Sequence, residues 1–177
     1  MADMQKRRKP GACAVVVSRY NTSVTGVMLE GAIGAYVARG GDESKLAVLE
    51  VPGAYELTAV AAAAAGSEMY DAVVCLGCII KGETEHDRHI AAAVAKGLTD
   101  ITLATGVPVA FGVLTTNTNE QALARAGGDK GNKGAEAMDA ALDAADAIVA
   151  IAEGYKNDSP GVRFTPGLQV QDKLSGG

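Results

Sequence analysis

Ala72-Val73-Val74-Cys75-Leu76-Gly77-Cys78-Ile79-Ile80-Lys81-Gly82-Glu83-Thr84-Glu85-His86-Asp87 is the stretch that decides the fold. Its first nine residues form an apolar run without polar alternation, as expected of a strand buried on both faces. Lys81-Gly82 breaks the run. A helical pattern follows from about Glu85 to Thr105 and stops at Gly106, just before Pro108.

Working outward, similar runs recur at Ala12–Val17, Leu46–Val51 and Val107–Leu114. Helical patterns fill the gaps at about Thr22–Arg39, stopped by Gly40-Gly41, and Ala54–Ala65, stopped by Gly66. After the fourth strand come a short helix, Asn119–Ala126, and a long one, Gly134–Tyr155, joined by a glycine-rich link. Alternating strands and helices with short connections predict an α/β domain. It has a four-stranded parallel sheet, right-handed crossovers and helices on both faces. The domain spans residues 12–156, between a basic tail (1–11) and an irregular one (157–177).

In the long helix Glu136, Asp139, Asp143, Asp146 and Glu153 make one acidic stripe, read as a solvated face. Met138, Leu142, Ile148, Ile151 and Tyr155 make the apolar remainder. Alanine fills many helix positions, including Ala61–Ala65 and Ala91–Ala93, and aromatics are only 4%. Small residues bury little area each, so a lone subunit has a thin core, which points to an oligomer.

The chain has 177 residues, enough for one domain with one core. No apolar run reaches the ~18 residues of a membrane span, and no signal segment follows the basic start. The net charge of −5 disfavours nucleic acid and acidic membranes as partners. Three cysteines with no secretory signal fit a reducing cytoplasm.

In an open parallel sheet, ligands bind beyond the carboxyl ends of the strands. There stand Ser18-Arg19-Tyr20-Asn21, Val51-Pro52-Gly53-Ala54-Tyr55-Glu56, Lys81 to Asp87, and a fourth strand carrying Phe111. Aromatics with a few polar groups make the default small-molecule pocket. Thr84 and Asp87 have the spacing of a capping box, which places Gly82-Glu83-Thr84 at a helix start able to hold an anion. His86 sits beside it; on spacing alone it reads equally well as a surface residue. Cys75 and Cys78 with His86 and His89 mimic a zinc pattern. The cysteines, however, fall on opposite faces of one strand, and the histidine spacing is one residue short. A mid-strand cysteine pair also lacks the helix start of a redox pair. Neither dinucleotide nor nucleotide-triphosphate fingerprints occur.

These segments, with Pro108-Val109-Ala110-Phe111-Gly112-Val113-Leu114-Thr115, Glu120-Gln121-Ala122-Leu123-Ala124-Arg125-Ala126-Gly127 and Gly131-Asn132-Lys133-Gly134, resemble the lumazine synthase family in order and spacing. The resemblance covers about Ala12–Ala152. It implies a flavodoxin-like three-layer sandwich, assembled as a homopentamer, with a link length also found in 60-subunit cages. It implies condensation of 5-amino-6-(D-ribitylamino)uracil with 3,4-dihydroxy-2-butanone 4-phosphate, without metal or organic cofactor. Tyr20 would stack on the pyrimidine, while Ala54, Tyr55, Glu56, Cys78, Ile79 and Ile80 would hold the ribityl chain and ring edge. Glu83 and Thr84 would bind the phosphate through backbone N–H groups, and His86 would move protons. Phe111 and Arg125, with Lys133, would come from a neighbouring subunit, Arg125 gripping the phosphate. Tyr20, Tyr55 and the pair Asp87-Arg88 depart from the commonest family wording. Two other readings share the fold: an archaeal-type riboflavin synthase, and a non-catalytic ligand-binding or shell protein.

Overall fold

The computed structural model describes residues 8–156. Most of the expected basic tail and all of the expected C-terminal tail lie outside the described residues. The elements run β1 (Cys13–Ser18), α1 (Thr22–Ala38), a 3-10 turn (Glu43–Lys45), β2 (Leu46–Val51), α2 (Leu57–Gly66), β3 (Ala72–Ile80) and α3 (His86–Thr105). Then follow β4 (Val109–Thr116), α4 (Asn119–Arg125), β5 (Ala126–Gly128), β6 (Gly131–Asn132) and α5 (Lys133–Lys156). β1 to β4 form one parallel sheet in the order β2-β1-β3-β4. This is the expected α/β, flavodoxin-like sandwich.

The period of two in β1 builds both cores. Cys13, Val15 and Val17 pack with Val24, Met28 and Tyr36 of α1 and with Met138 and Leu142 of α5. Ala14 and Val16 face Leu57 and Ala61 of α2 and Val94 and Leu98 of α3. Burying each Val or Leu side chain is worth about 1.5–3 kcal/mol, so an unbroken apolar run suits the two inner strands. β1 is buried throughout and β3 nearly so. β2 and β4 lie at the edges and are not: Val48 and Phe111 are exposed.

α1 and α5 approach closely because position 134 carries no side chain. A Cβ there would stand 1.9 Å from the Met28 carbonyl oxygen. Asn132 fixes the start of α5, its Oδ1 accepting from Gly134 N at 2.8 Å and Ala135 N at 3.1 Å. Its Nδ2 donates to the carbonyls of Val27 (2.9 Å) and Ala126 (3.1 Å). The glycine-rich link is ordered as the β5–β6 antiparallel hairpin. Gly106 ends α3 in the left-handed region, φ 74°, as expected of a C-terminal glycine. Gly66 does not stop its helix but closes it, and the chain turns at Glu68, φ 60°.

The acidic stripe of α5 is not simply solvated. Arg39, 8% exposed, holds Asp143 at 2.8 Å, Asp146 at 3.2 Å and Asp139 at 3.5 Å, and Arg8 adds a contact to Asp146 at 3.4 Å. The guanidinium therefore staples α1 to α5. Asp139 and Asp143 are half-exposed and can return to water. Arg39→Met, which keeps the aliphatic stem, should cost about 1 kcal/mol, with a penalty that shrinks at high salt. Thermal unfolding at two ionic strengths checks this; a salt-independent loss would mean that packing, not charge, is involved.

Candidate active site

Strand order reverses direction at β1 and β3, whose following loops lead to opposite sides of the sheet. Such a switch point opens a crevice at the carboxyl edge. Here it is a continuous cleft. One part, about 430 Å³, is bordered by Tyr20, Asn21, Ala54, Cys78, Ile79, Ile80, Thr84, His86, Asp87 and Ile90. The other, about 500 Å³, is bordered by Tyr20, Gly53, Ala54, Tyr55, Glu56, His86, His89 and Ile90. Tyr20, Ala54, His86 and Ile90 belong to both.

Local hydrogen bonds hold the walls. After β1 the chain stays beside β2, with Arg19 N donating to Val51 O at 2.8 Å and Tyr20 N to Pro52 O at 3.0 Å. Asn21 takes the left-handed region (φ 60°, ψ 47°) and its Nδ2 donates to Cys78 O at 2.9 Å. That bond ties the two sides of the switch point. Glu56 turns back so that its Oε2 accepts from Gly53 N at 2.9 Å. A Cβ on Gly53 would meet Tyr20 Cδ2 at 2.9 Å and Glu56 Oε2 at 3.0 Å, so only glycine lets ring and carboxylate close on this turn. Ala54, Cys78 and Ile79 make an apolar floor; burial pushes the Cys78 thiol up to about 11, so it stays neutral near pH 7.

Cys75 and Cys78 point into different cores, on opposite faces of β3, as their spacing predicts. Burial pushes Cys75 up to about 12. They cannot share a ligand sphere from there.

The helix start differs from expectation. α3 begins at His86, so Glu85 is its N-cap, with no side-chain cap bond. Thr84 Oγ1 accepts only from His86 N, at 3.4 Å, and Asp87 does not complete a capping box. The chain does form a close relative of one at α4, which sequence reading missed. There Gln121 N donates to Thr118 Oγ1 at 3.3 Å, while Gln121 Oε1 accepts from Asn117 N at 3.0 Å.

Of the residues expected in the site, Tyr20, Ala54, Tyr55, Glu56, Cys78, Ile79, Ile80, Thr84 and His86 border the cleft. Glu83 lies exposed in the turn before α3. Phe111 and Arg125 do not border it. Phe111 stands beside Cys75 in the β3–β4 register and is 45% exposed on an edge strand. Arg125 closes α4, donating to Gln121 O at 2.9 Å. Lys133 pairs with Glu136. Asn21, Gly53, His89 and Ile90 were not anticipated as lining residues, whereas Asp87, expected in the wall behind His86, does border the cleft. For Asn21 and Gly53 the signal was their place in the segments that follow the strands. The aromatic side chains at the cleft are open to solvent: Tyr20 is 68% and Tyr55 60% exposed.

The chain matches the family described as 6,7-dimethyl-8-ribityllumazine synthase over residues 11–148. A protein of that name from Thermus thermophilus is 49% identical over 130 residues, covering 73% of this chain and 83% of the relative. One from Campylobacter hominis is 45% identical over 130 residues, with the same coverage. One from Desulfotalea psychrophila is 44% identical over 138 residues, covering 78% of this chain and 89% of the relative. These matches do not favour the riboflavin-synthase and shell-protein readings. Spanning the sheet, every wall of the cleft and most of α5, they establish that the chain belongs to the 6,7-dimethyl-8-ribityllumazine synthase family.

Proposed function

We propose that the protein is a transferase of riboflavin biosynthesis. It condenses 5-amino-6-(D-ribitylamino)uracil with 3,4-dihydroxy-2-butanone 4-phosphate to 6,7-dimethyl-8-ribityllumazine. The carrying observation is the switch-point cleft, where Tyr20, Glu56 and His86 converge over an apolar floor in a chain of this family. Tyr20 offers an aromatic face to the flat heterocycle. Glu56 and the backbone of Cys78–Ile80 meet the ribityl chain and ring edge, with Ala54 and Tyr55 beside them.

The chemistry needs proton transfers but no redox change. The 5-amino nitrogen attacks the ketone carbon, and the carbinolamine loses water to give an imine. Inorganic phosphate is eliminated, and the ribitylamino nitrogen closes the ring on the remaining carbonyl with loss of a second water. His86 stands at the junction of both parts of the cleft, within reach of both reactants, and serves as proton donor and acceptor. The turn Glu83-Thr84 at the start of α3 offers N–H groups to the phosphate. Holding the two substrates together supplies much of the acceleration.

We propose further that the working unit is a homopentamer in the cytoplasm, and that Phe111 and Arg125 complete a neighbouring subunit's cleft. The exposure of Phe111 and the distance of both residues from their own chain's cleft support this. Among the described residues no helix is long and apolar enough to cross a membrane. The reaction itself is tested by mixing the protein with both substrates and EDTA and following the product's absorbance. Turnover is expected in the chelator. Activity lost to EDTA and restored by zinc would contradict the cofactor-free reading, and no product under any condition would contradict the reaction.

A further inference from the structure

Asp87 makes no side-chain hydrogen bond or ion pair among the described residues. The capping role its spacing suggested is not realised: Glu85 is the N-cap of α3, and no side chain caps it. Arg88, the adjacent cation, pairs with Glu85 at 3.5 Å. The Oδ1 of Asp87 is shut off from solvent without any hydrogen-bond partner among the described residues. Burying a polar atom unpaired is unfavourable, and such an atom calls for a reason. A favourable interaction with the helix start offsets part of the cost but gives Oδ1 no donor.

The residue borders the same part of the cleft as Tyr20, Asn21, Ala54, Cys78 and His86. Asp87 itself borders that space, and its two carboxylate oxygens are chemically equivalent. An ionised carboxylate only accepts hydrogen bonds. It therefore suits an occupant that brings donors, whereas an anion is better met by the backbone N–H groups of the nearby Glu83-Thr84 turn. Of the two substrates in the proposed reaction, the butanone phosphate is the anion. The ribitylamino-pyrimidine carries an amine, ring N–H groups and ribityl hydroxyls.

We propose that Asp87 is a specificity-determining residue for the ribitylamino-pyrimidine, its carboxylate accepting a hydrogen bond from that substrate's donors in the cleft. The assignment rests on the condensation proposed above and deepens it. It gives the carboxylate a hydrogen-bond partner in the loaded enzyme that it lacks in the empty one.

The test uses the full chain and two variants, Asp87→Asn and Asp87→Leu, with KM measured for each substrate and thermal unfolding measured without substrate. Asp87→Leu should raise the KM for the ribitylamino-pyrimidine roughly ten- to a hundredfold, as loss of a charged hydrogen bond does. Asp87→Asn keeps an acceptor oxygen and should raise it less. The KM for the butanone phosphate should not rise in either variant. Asp87→Leu should not melt far below the wild type, because removing the unpaired oxygen relieves a cost that offsets the lost helix-start interaction. An equal rise in both KM values, no rise in either, or a lower melting temperature with an unchanged KM ratio would overturn the proposal. If the wild type forms no lumazine, the reaction reading fails by itself. Direct titration with the ribitylamino-pyrimidine then decides Asp87, since equal binding by wild type and Asp87→Leu would overturn its role.

Discussion

Turnover by His86→Ala should fall ~10²–10⁴-fold without vanishing, the usual share of a positioned general acid and base. His86 is the first residue of α3 and borders both cleft parts, where the proposed reaction brings the amine and carbonyl together. The variant retains Tyr20, Glu56 and the apolar floor, so both substrates remain held together, and that share of the acceleration survives. His89 borders only one part of the cleft. His89→Ala should therefore do less harm. Single-turnover rates for both variants check the order, and a more damaging His89→Ala would move the proton-transfer role away from position 86.

The second large effect is expected at Arg125. Arg125→Ala should raise the KM for the butanone phosphate roughly ten- to a hundredfold, the loss that accompanies a charge-assisted phosphate contact. The KM for the ribitylamino-pyrimidine should change much less. The guanidinium can leave its present partner, the Gln121 carbonyl, at little cost, since that bond forms at the open end of a short helix. Arg125→Lys should recover only part of the loss, because an ammonium lacks the planar fork that grips two phosphate oxygens. Steady-state kinetics with each substrate varied in turn distinguish this from general damage, which would raise both KM values alike.

The layout of the sheet was legible because β1 and β3 are covered on both sides and carry no polar residue until their ends. The same reading overstated the edges: apart from Glu50 and the closing Thr115-Thr116, β2 and β4 are apolar in sequence, yet Val48 and Phe111 stand exposed. The cleft was legible for a topological reason, since ligands collect where strands end. Asn21 and Gly53 escaped notice as site residues because their roles, a hydrogen bond across the switch point and room for a ring, appear only when separate loops meet. Thr84 and Asp87 show how a spacing can mislead: the helix starts one residue too late for the box to close. The acidic stripe of α5 looked solvated because its partner, Arg39, lies about a hundred residues earlier. The β5–β6 hairpin is three residues against two, too short to leave any period.

In the assembly proposed above, each cleft becomes a working site only with Phe111 and Arg125 from a neighbour. Within one chain these two residues stand apart from Tyr20, Glu56 and His86, so a head-to-tail ring would bring one subunit's first group against the next subunit's second. Subunit mixing tests this directly. His86→Ala and Arg125→Ala, each weakly active alone, are unfolded together in equal amounts and reassembled, and hybrids are verified by mass spectrometry. In random rings about one interface in four pairs an intact His86 with an intact neighbouring Arg125. Activity should then rise well above the mean of the two parents. Hybrids that form but remain at the parental mean would contradict the shared site, because a site built within one chain has no intact combination to regain.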